Sequence, residues 1–520
     1  MKKVVLISSP NDFAGNANVV RFTTPLAPPL GILALGSYLA MQDVPVELID
    51  VQMDFGFGLT RDAEKIVCQR VAAHLCDQVE EIAWIGISQI SNSGSGIILA
   101  QEIHAALPQI PIVFGGYFPS NNYETLLKRY PFITAIVRGD GEAAALQISR
   151  SLDQGQPFLA PSTPNLVWIN HQGELEINRA EPMNVSQLPN LNFRLLRNLE
   201  WYQTIDLMTS RGCPFKCNYC LEDSMRPYAE FSPEWVTRQI DQLTAEVPGR
   251  PVYIWDPIFG VNRRRTEKIC QTLKRPGFTY AVESRVDVMT PDLIPMLREA
   301  GVEMIYLGVE SASPSTLVRM NKVRSEVEAE KYIRQAKEVL RSCFENQLTP
   351  LMGFMLGFPG DEESDYKATL AFIQQIRCIH DQVVHDHGVA AGFILFSFYS
   401  KIYDGTQLAQ HVEREYPAVV LRTEPFIGER TVLSPSPNVD LDMTSRYQSE
   451  ITRQGAYTAL ALERLRCYGA YSMEAFLAAH PELTDENGVT LLGDSLQRYP
   501  REFSAASGLM DYDKSKDSSS

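Results

Sequence analysis

Long apolar runs, histidine, cysteine and positive charge are all scarce in this chain of 520 residues. No stretch approaches the roughly 18 uninterrupted apolar residues of a membrane span. The longest candidates, near 30–41 and 389–399, are broken by Gly or Ser, so no span is expected. Lys and Arg number 47 against 63 Asp and Glu, a net charge of −16. That balance lacks the basic footprint of a protein that neutralises many phosphates, which argues against nucleic acid and anionic membranes as partners. A small-molecule substrate fits better. Nine cysteines are too sparse for a disulfide framework and their odd count leaves one unpaired, so reduced thiols and a cytoplasmic location are expected. Among the eight histidines, His380, His385 and His387 do not converge on one helical face and read as a solvated surface cluster. The apolar run at 4–7 is too short for a signal peptide and reads as a first strand.

What is present is globular. Hydrophobic residues make up 45% and charged residues 21%, which excludes a disordered or fibrous chain, and the length calls for two or three compact units. Residues 1–152 alternate short apolar runs, at 4–8, 46–51, 82–88, 112–114 and 135–137, with helix-like segments. This is the pattern of an open parallel sheet covered by helices on both faces, whose ligands sit beyond the carboxyl ends of the strands. Residues 153–200, rich in Pro, Asn and Gln, read as a linker that packs through Leu166-Val167-Trp168-Ile169. A second alternation occupies 201–404, with strands at 204–209, 252–255, 279–282, 304–309, 349–356 and 390–398. Six βα units predict a full or partial parallel barrel with its chemistry at the C-terminal ends of the strands. Residues 405–510 read as a mainly helical substrate or capping domain, with one amphipathic helix over 445–467, and 511–520 as a polar disordered tail. Cys68, Cys76, Cys270, Cys343 and Cys378 fall in helical segments and are expected to pack as small hydrophobes.

The most informative stretch is Ser210-Arg211-Gly212-Cys213-Pro214-Phe215-Lys216-Cys217-Asn218-Tyr219-Cys220. It follows the first strand of the second alternation, which puts three thiols at the ligand-facing end of the expected barrel. Three thiolates do not complete a four-cysteine site, and no neighbouring Cys or His supplies a fourth ligand. One metal position would stay open to an outside ligand. A structural zinc site and unligated thiols are the alternatives.

The spacing C-x3-C-x2-C, with Tyr219 before the last cysteine, resembles the signature of the radical S-adenosylmethionine (radical SAM) enzymes. The resemblance covers about 201–404. It implies that Cys213, Cys217 and Cys220 hold a [4Fe–4S] cluster whose fourth iron chelates S-adenosylmethionine, which is cleaved reductively to a 5′-deoxyadenosyl radical. It implies further S-adenosylmethionine contacts. The backbone at Tyr219 would lie near the adenine, Asp256 stands in the second-strand motif, and Arg285 would pair with the cofactor's carboxylate. Glu310 would serve its amino or ribose groups, and Gly357 would let the chain pass close to the adenine. Pro257 stands where a second acidic residue is common in the cobalamin-associated subgroup, so only Asp256 carries over there. The bland readings are a helix cap for Asp256, an internal ion pair for Arg285 and Glu310, and a plain turn at 357–360.

The first 152 residues resemble the cobalamin-binding domain that precedes many radical SAM enzymes, through Pro28-Pro29-Leu30-Gly31, Ile85-Gly86-Ile87-Ser88, Val113-Phe114-Gly115-Gly116 and Arg138-Gly139-Asp140-Gly141-Glu142. Ser88, Ser91, Gly115, Gly116, Gly139 and Glu142 are the implied cobalamin contacts. A nucleotide- or substrate-binding domain is the alternative, since glycine-rich loops alone are weak signals. No Asp-x-His-x-x-Gly motif occurs, so cobalt would lack a histidine from below.

The expected fold is thus α/β: a doubly wound, Rossmann-like domain of cobalamin-binding type, a (β/α)6 partial TIM barrel of radical SAM type, and a mainly helical C-terminal domain. The resemblance implies a cobalamin-dependent methyltransferase acting on an unactivated carbon of a small molecule or natural product, supplied with electrons by an external reductant of flavodoxin or ferredoxin type. The rivals are a radical cyclase, ring-contracting or oxidative enzyme without methyl transfer, and a redox-sensing module with a structural cluster. Methylthiolation of RNA is disfavoured, because the extra cluster cysteines and basic tail of that group are missing.

Overall fold

The computed structural model describes residues 1–10, 27–90, 94–423, 429–468 and 481–490. The chain divides into two compact units, 1–206 with 469–520, and 207–468. Among the described residues after 404, 405–468 fall in the second unit and 481–490 in the first.

The first unit is built on a seven-stranded sheet of β1 (Lys3–Ser8), β2 (Val46–Asp50), β3 (Ile82–Ser88), β4 (Ile112–Gly115), β5 (Ala135–Val137), β6 (Leu166–Ile169) and β7 (Leu175–Ile177), in the order β2-β1-β3-β4-β5-β6-β7. The first five pair in parallel. Val4, Val5, Leu6 and Ile7 are buried in succession, as a strand covered by helices on both faces requires. The order 2-1-3-4-5 is that of a doubly wound sheet, with its topological switch point between β1 and β3. The expected linker is partly sheet, because β6 and β7 extend it in antiparallel fashion. Val489–Thr490 pairs with Phe57–Gly58, and Arg70 meets Asp485 at 2.5 Å. A segment far along the chain thereby belongs to the first unit.

The six expected strands of the second alternation all form: β8 (Ile205–Leu207), in which the boundary between units falls, β9 (Val252–Ile254), β10 (Tyr280–Ser284), β11 (Val302–Glu310), β12 (Thr349–Leu356) and β13 (Ile394–Tyr399). Their order is β13-β12-β11-β10-β9-β8, and β9 through β13 pair in parallel. The first and last strands do not pair, so the barrel is partial. Helices between the strands start at side-chain caps: Ser232 accepts the Trp235 N–H at 3.1 Å, and Asn262 accepts that of Arg265 at 3.3 Å. A three-stranded antiparallel sheet, with Glu429–Ser434 between Lys401–Tyr403 and Val420–Thr423, packs Ile402 and Val432 with Phe358, Met320, Leu408 and Val412 in a satellite core.

Three expectations need correction. The helix read over 445–467 is two, Leu441–Arg453 and Ala459–Tyr468, because the chain between them turns to bond elsewhere. Phe393 donates its N–H to the Ala456 carbonyl at 3.0 Å, and Arg377 donates to the carbonyls of Gln454 and Gly455. His380 is not solvated. It lies edge-on to Phe344 and Phe393, whereas His385 and His387 are exposed at the end of Glu363–His387. Of the five helical cysteines, Cys68, Cys270 and Cys343 are buried but Cys76 and Cys378 are exposed, since they fall on the outer faces of their helices. The tail 511–520 lies outside the described residues.

Candidate cluster loop and cofactor-facing edges

The cysteine loop leaves the sheet at β8 and is closed at its base by antiparallel pairing of Ser210–Arg211 with Ala229–Glu230. Asp256, just past β9, is fully buried and holds this base. Its carboxylate accepts the N–H and hydroxyl of Thr209 and, at 2.8 Å, the N–H of Ser210. Arg265 completes the staple by donating to the carbonyls of Thr209 and Phe231. Burial pushes the Asp256 carboxyl up, and the bonds from Thr209 pull it back. Gly212 has φ +69°, and a Cβ there would stand 2.5 Å from the Pro227 carbonyl oxygen, so only glycine permits this path. Beyond it, Asn218 donates its N–H to the Met320 carbonyl and its amide to that of Arg319, while the Cys220 N–H turns back to the Cys217 carbonyl at 3.1 Å.

Two buried cations stand at the thiols. Arg285 donates from Nη1 to Cys217 Sγ at 3.1 Å, binds both oxygens of Asp287 at 2.9 Å, and donates from Nη2 to the Lys322 carbonyl at 2.7 Å. Its guanidinium carbon lies 3.9 Å from the centre of the Phe215 ring. Lys322, with a side chain 3% exposed, pairs with Glu310 at 3.1 Å. Glu310 itself has φ +68°, at a register shift where β11 bulges against β12. A non-glycine residue in that region costs about 1–3 kcal/mol, which the surrounding structure must hold in place. Burial raises the Cys213 thiol and pushes Cys220 up to about 11. In these two thiols burial favours the protonated form, which a metal must displace to bind.

This donor set fits the group that the resemblance implies. Three thiols sit on one loop whose base and tip are fixed, beside cations that favour thiolates. Among the described residues no three His, Cys, Asp or Glu side chains converge on a single-ion site.

Farther into the barrel, Tyr253 and Trp255 stack at 4.1 Å, and the Tyr253 hydroxyl donates to Glu283 at 2.8 Å. Burial pushes the Glu283 carboxyl up to about 7, with the Tyr253 bond opposing and Asp256 adding. Gly308 and Gly353 are register partners, and the space a side chain would take is filled by the Glu310 carboxylate over the one and the Tyr306 hydroxyl over the other. Tyr219 is half-buried against Phe358, with ring centres 6.3 Å apart, and Gly357 has φ +77°. Cys213, Cys217, Cys220, Arg285, Lys322 and Glu310 thus form one neighbourhood. Asp256 acts on the loop's backbone, and Tyr219 and Gly357 lie beside the satellite core.

In the first unit, Ser88, Gly115, Gly116, Gly139 and Glu142 all lie at the C-terminal edge of the parallel strands, while Ser91 lies outside the described residues. A Cβ on Gly115 would meet nothing nearer than 3.9 Å, an open position. Gly116, at φ +105°, is needed instead by the protein itself, since a Cβ would collide with the Gln89 backbone. The Gly139 N–H donates to Ser120 Oγ at 3.2 Å, and the loop around Asp140 is tied by the Met183 N–H and the Asn165 amide. His74 is engaged by Glu47 and Phe55, and His104 by Phe132. Neither stands on this edge.

Lys322, Asp287, Arg265 and Glu283 were not singled out in the sequence. Asp287 had a signal, the short spacing Arg285-Val286-Asp287, but nothing local marks Lys322 as a buried cation.

Residues 207–373 match the family model of the Radical SAM superfamily, a span that holds the three cysteines, Asp256, Arg285, Glu310 and Gly357. The second unit therefore carries a radical SAM domain, and the resemblance read from the cysteines holds. Over 388 residues the chain is 24% identical to an uncharacterized methyltransferase of Pyrococcus horikoshii, covering 72% of this chain and 78% of that protein. It is 26% identical over 359 residues to an anaerobic magnesium-protoporphyrin IX monomethyl ester cyclase of Synechocystis, covering 64% of this chain and 66% of that one. The solved structure of the cobalamin-dependent S-adenosylmethionine radical enzyme OxsB, with aqua-cobalamin and S-adenosylmethionine bound, superposes with a TM-score of 0.68 at 19% identity. It covers 86% of this chain and 66% of that one. The fold is shared, and the order of a doubly wound domain before a partial barrel is as expected. No helix of the described residues is long and apolar enough to cross a membrane.

Proposed function

We propose that the protein is a cobalamin-dependent radical SAM enzyme that transfers a methyl group to an unactivated carbon of a small molecule. The observation that carries this reading is the three-cysteine loop, stapled by Asp256 to the end of the first barrel strand and flanked by Arg285 and Lys322. Cys213, Cys217 and Cys220 would hold the [4Fe–4S] cluster, and the cysteine-free corner would receive S-adenosylmethionine. A cluster held there supplies the electron that cleaves S-adenosylmethionine, and cobalamin supplies a carrier for the methyl group. The protein's residues hold, orient and shield. Asp256 and Arg265 fix the loop, Lys322 and Glu310 present one cation and one anion for the polar end of S-adenosylmethionine, and Tyr219 with Phe358 closes an apolar wall. Ser88, Ser91, Gly115, Gly116, Gly139 and Glu142 are the cobalamin-facing candidates, at the edge where doubly wound sheets bind ligands. An external one-electron reductant of flavodoxin or ferredoxin type and a cytoplasmic location go with this reading.

A second reading, a cyclase without methyl transfer, is favoured by the likeness to the Synechocystis cyclase. The test is anaerobic incubation of the reconstituted protein with reductant and S-adenosylmethionine, followed by mass spectrometry. Formation of both 5′-deoxyadenosine and S-adenosylhomocysteine supports methyl transfer. 5′-Deoxyadenosine alone favours the second reading, and neither product overturns both.

A further inference from the structure

We propose that Arg285 is a positioning residue for the cluster, which fixes Cys217 through the hydrogen bond to its sulfur and thereby sets how readily the cluster is reduced. This rests on the cluster reading above. The guanidinium has five N–H donors. Nε and one Nη2 donor go to the two oxygens of Asp287, the other Nη2 donor goes to the Lys322 carbonyl, and one Nη1 donor goes to Cys217 Sγ. One N–H remains. A two-pronged grip on a carboxylate needs two donors on one edge of the fork, and the edge shared by Nε and Nη2 is already filled by Asp287. The role of S-adenosylmethionine carboxylate partner, implied for Arg285 by resemblance, therefore does not suit the fork as it is held. Lys322, whose ammonium donates to Glu310 at 3.1 Å, suits it better.

The clamp is rigid from every side. Phe215, inside the cysteine loop, covers the guanidinium face at 3.9 Å, and Arg285 is 6% exposed. Asp287 offsets the charge of Arg285, so the influence on sulfur comes chiefly from the oriented N–H rather than from net charge. An N–H aimed at a cysteine sulfur stabilises the added negative charge of the reduced cluster and so raises its reduction potential. Removing it lowers the potential without removing a ligand.

The experiment is EPR-monitored potentiometric titration of protein reconstituted with iron and sulfide, wild type against Arg285→Lys, with iron content and S-adenosylmethionine affinity measured on the same samples. Lysine keeps the charge but cannot serve Asp287, the Lys322 carbonyl and Cys217 together. The expected result is full iron content, a midpoint shifted to more negative potential, and affinity for S-adenosylmethionine changed by less than about tenfold. An unchanged midpoint with intact cluster overturns the proposal, and a concurrent loss of affinity beyond about tenfold would return Arg285 to the carboxylate role. Should Arg285→Lys take up no iron, Arg285→Met decides, because it fills similar space with no donor for the sulfur. A loaded cluster with a shifted midpoint upholds the proposal, whereas an unchanged midpoint, or a folded variant that also takes up no iron, overturns it. A wild-type protein that takes up no iron overturns the proposed function itself, a result distinct from all of these.

Discussion

Asp256 accepts the backbone N–H of Ser210 at 2.8 Å, three residues before the first cysteine of the loop. A buried carboxylate from one strand end thus fixes the backbone from which the neighbouring, preceding strand's loop departs. It does so by hydrogen bonds to Thr209 and Ser210.

Asp256→Ala should therefore act through the loop. It strands two buried N–H groups and one hydroxyl, at a cost of about 3 kcal/mol or more. Thermal unfolding should show the loss, and iron uptake should fall although all three cysteines remain. Asp256→Asn, which keeps an acceptor oxygen, should lie between the two.

Gly212→Ala tests the path of the loop itself. The positive φ and the collision with Pro227 combine to cost about 2–4 kcal/mol locally. The expected outcome is a folded protein with much reduced iron content, measured by colorimetric iron assay with circular dichroism as the fold control.

Glu283 makes stability depend on pH. Its folded pKa of about 7 lies above its ordinary 4.5, so between those values the folded chain holds a proton that the unfolded chain has released. Stability from this group is full below about pH 4.5, declines as pH rises to about 7, and is flat above. Glu283→Gln, which can still accept from Tyr253, should remove that decline and stabilise the protein at pH 8 by up to about 3 kcal/mol relative to wild type. Little difference should remain at pH 5. Denaturant unfolding at the two pH values checks the sign.

In the first unit, Gly116→Ala should be worse than Gly115→Ala. The former drives a Cβ into the Gln89 backbone at a φ that only glycine adopts readily, whereas the latter meets nothing within 3.9 Å. Gly116→Ala should lower stability by about 2–4 kcal/mol. Gly115→Ala should leave stability within about 1 kcal/mol, so any loss of corrinoid binding, read from the visible spectrum, reports the ligand-facing edge directly.

Much of this architecture was legible. Val4–Ile7 and the later apolar runs announce strands because buried parallel strands need continuous hydrophobic stretches, and every one of the eleven expected in the two sheets forms. The cysteine spacing marked the site because three thiols in eight residues have few other uses. What escaped depends on contacts distant in sequence. Residues 445–467 carry a helical pattern that breaks at Gly455, where the chain bonds Phe393 and Arg377 and Thr458 caps a second helix. The pairing of Val489–Thr490 with Phe57–Gly58 has no local signal. Lys322 reads as an ordinary surface lysine until the bulge at Glu310 turns a carboxylate toward it.

The most direct measurement is the cofactor content of the protein after anaerobic reconstitution with iron, sulfide and hydroxocobalamin, compared with Cys217→Ala. The account predicts about four irons and one corrinoid per chain in the wild type, with the iron lost and the corrinoid kept in the variant. Equal iron in both proteins, or a wild type that binds no corrinoid, would contradict it.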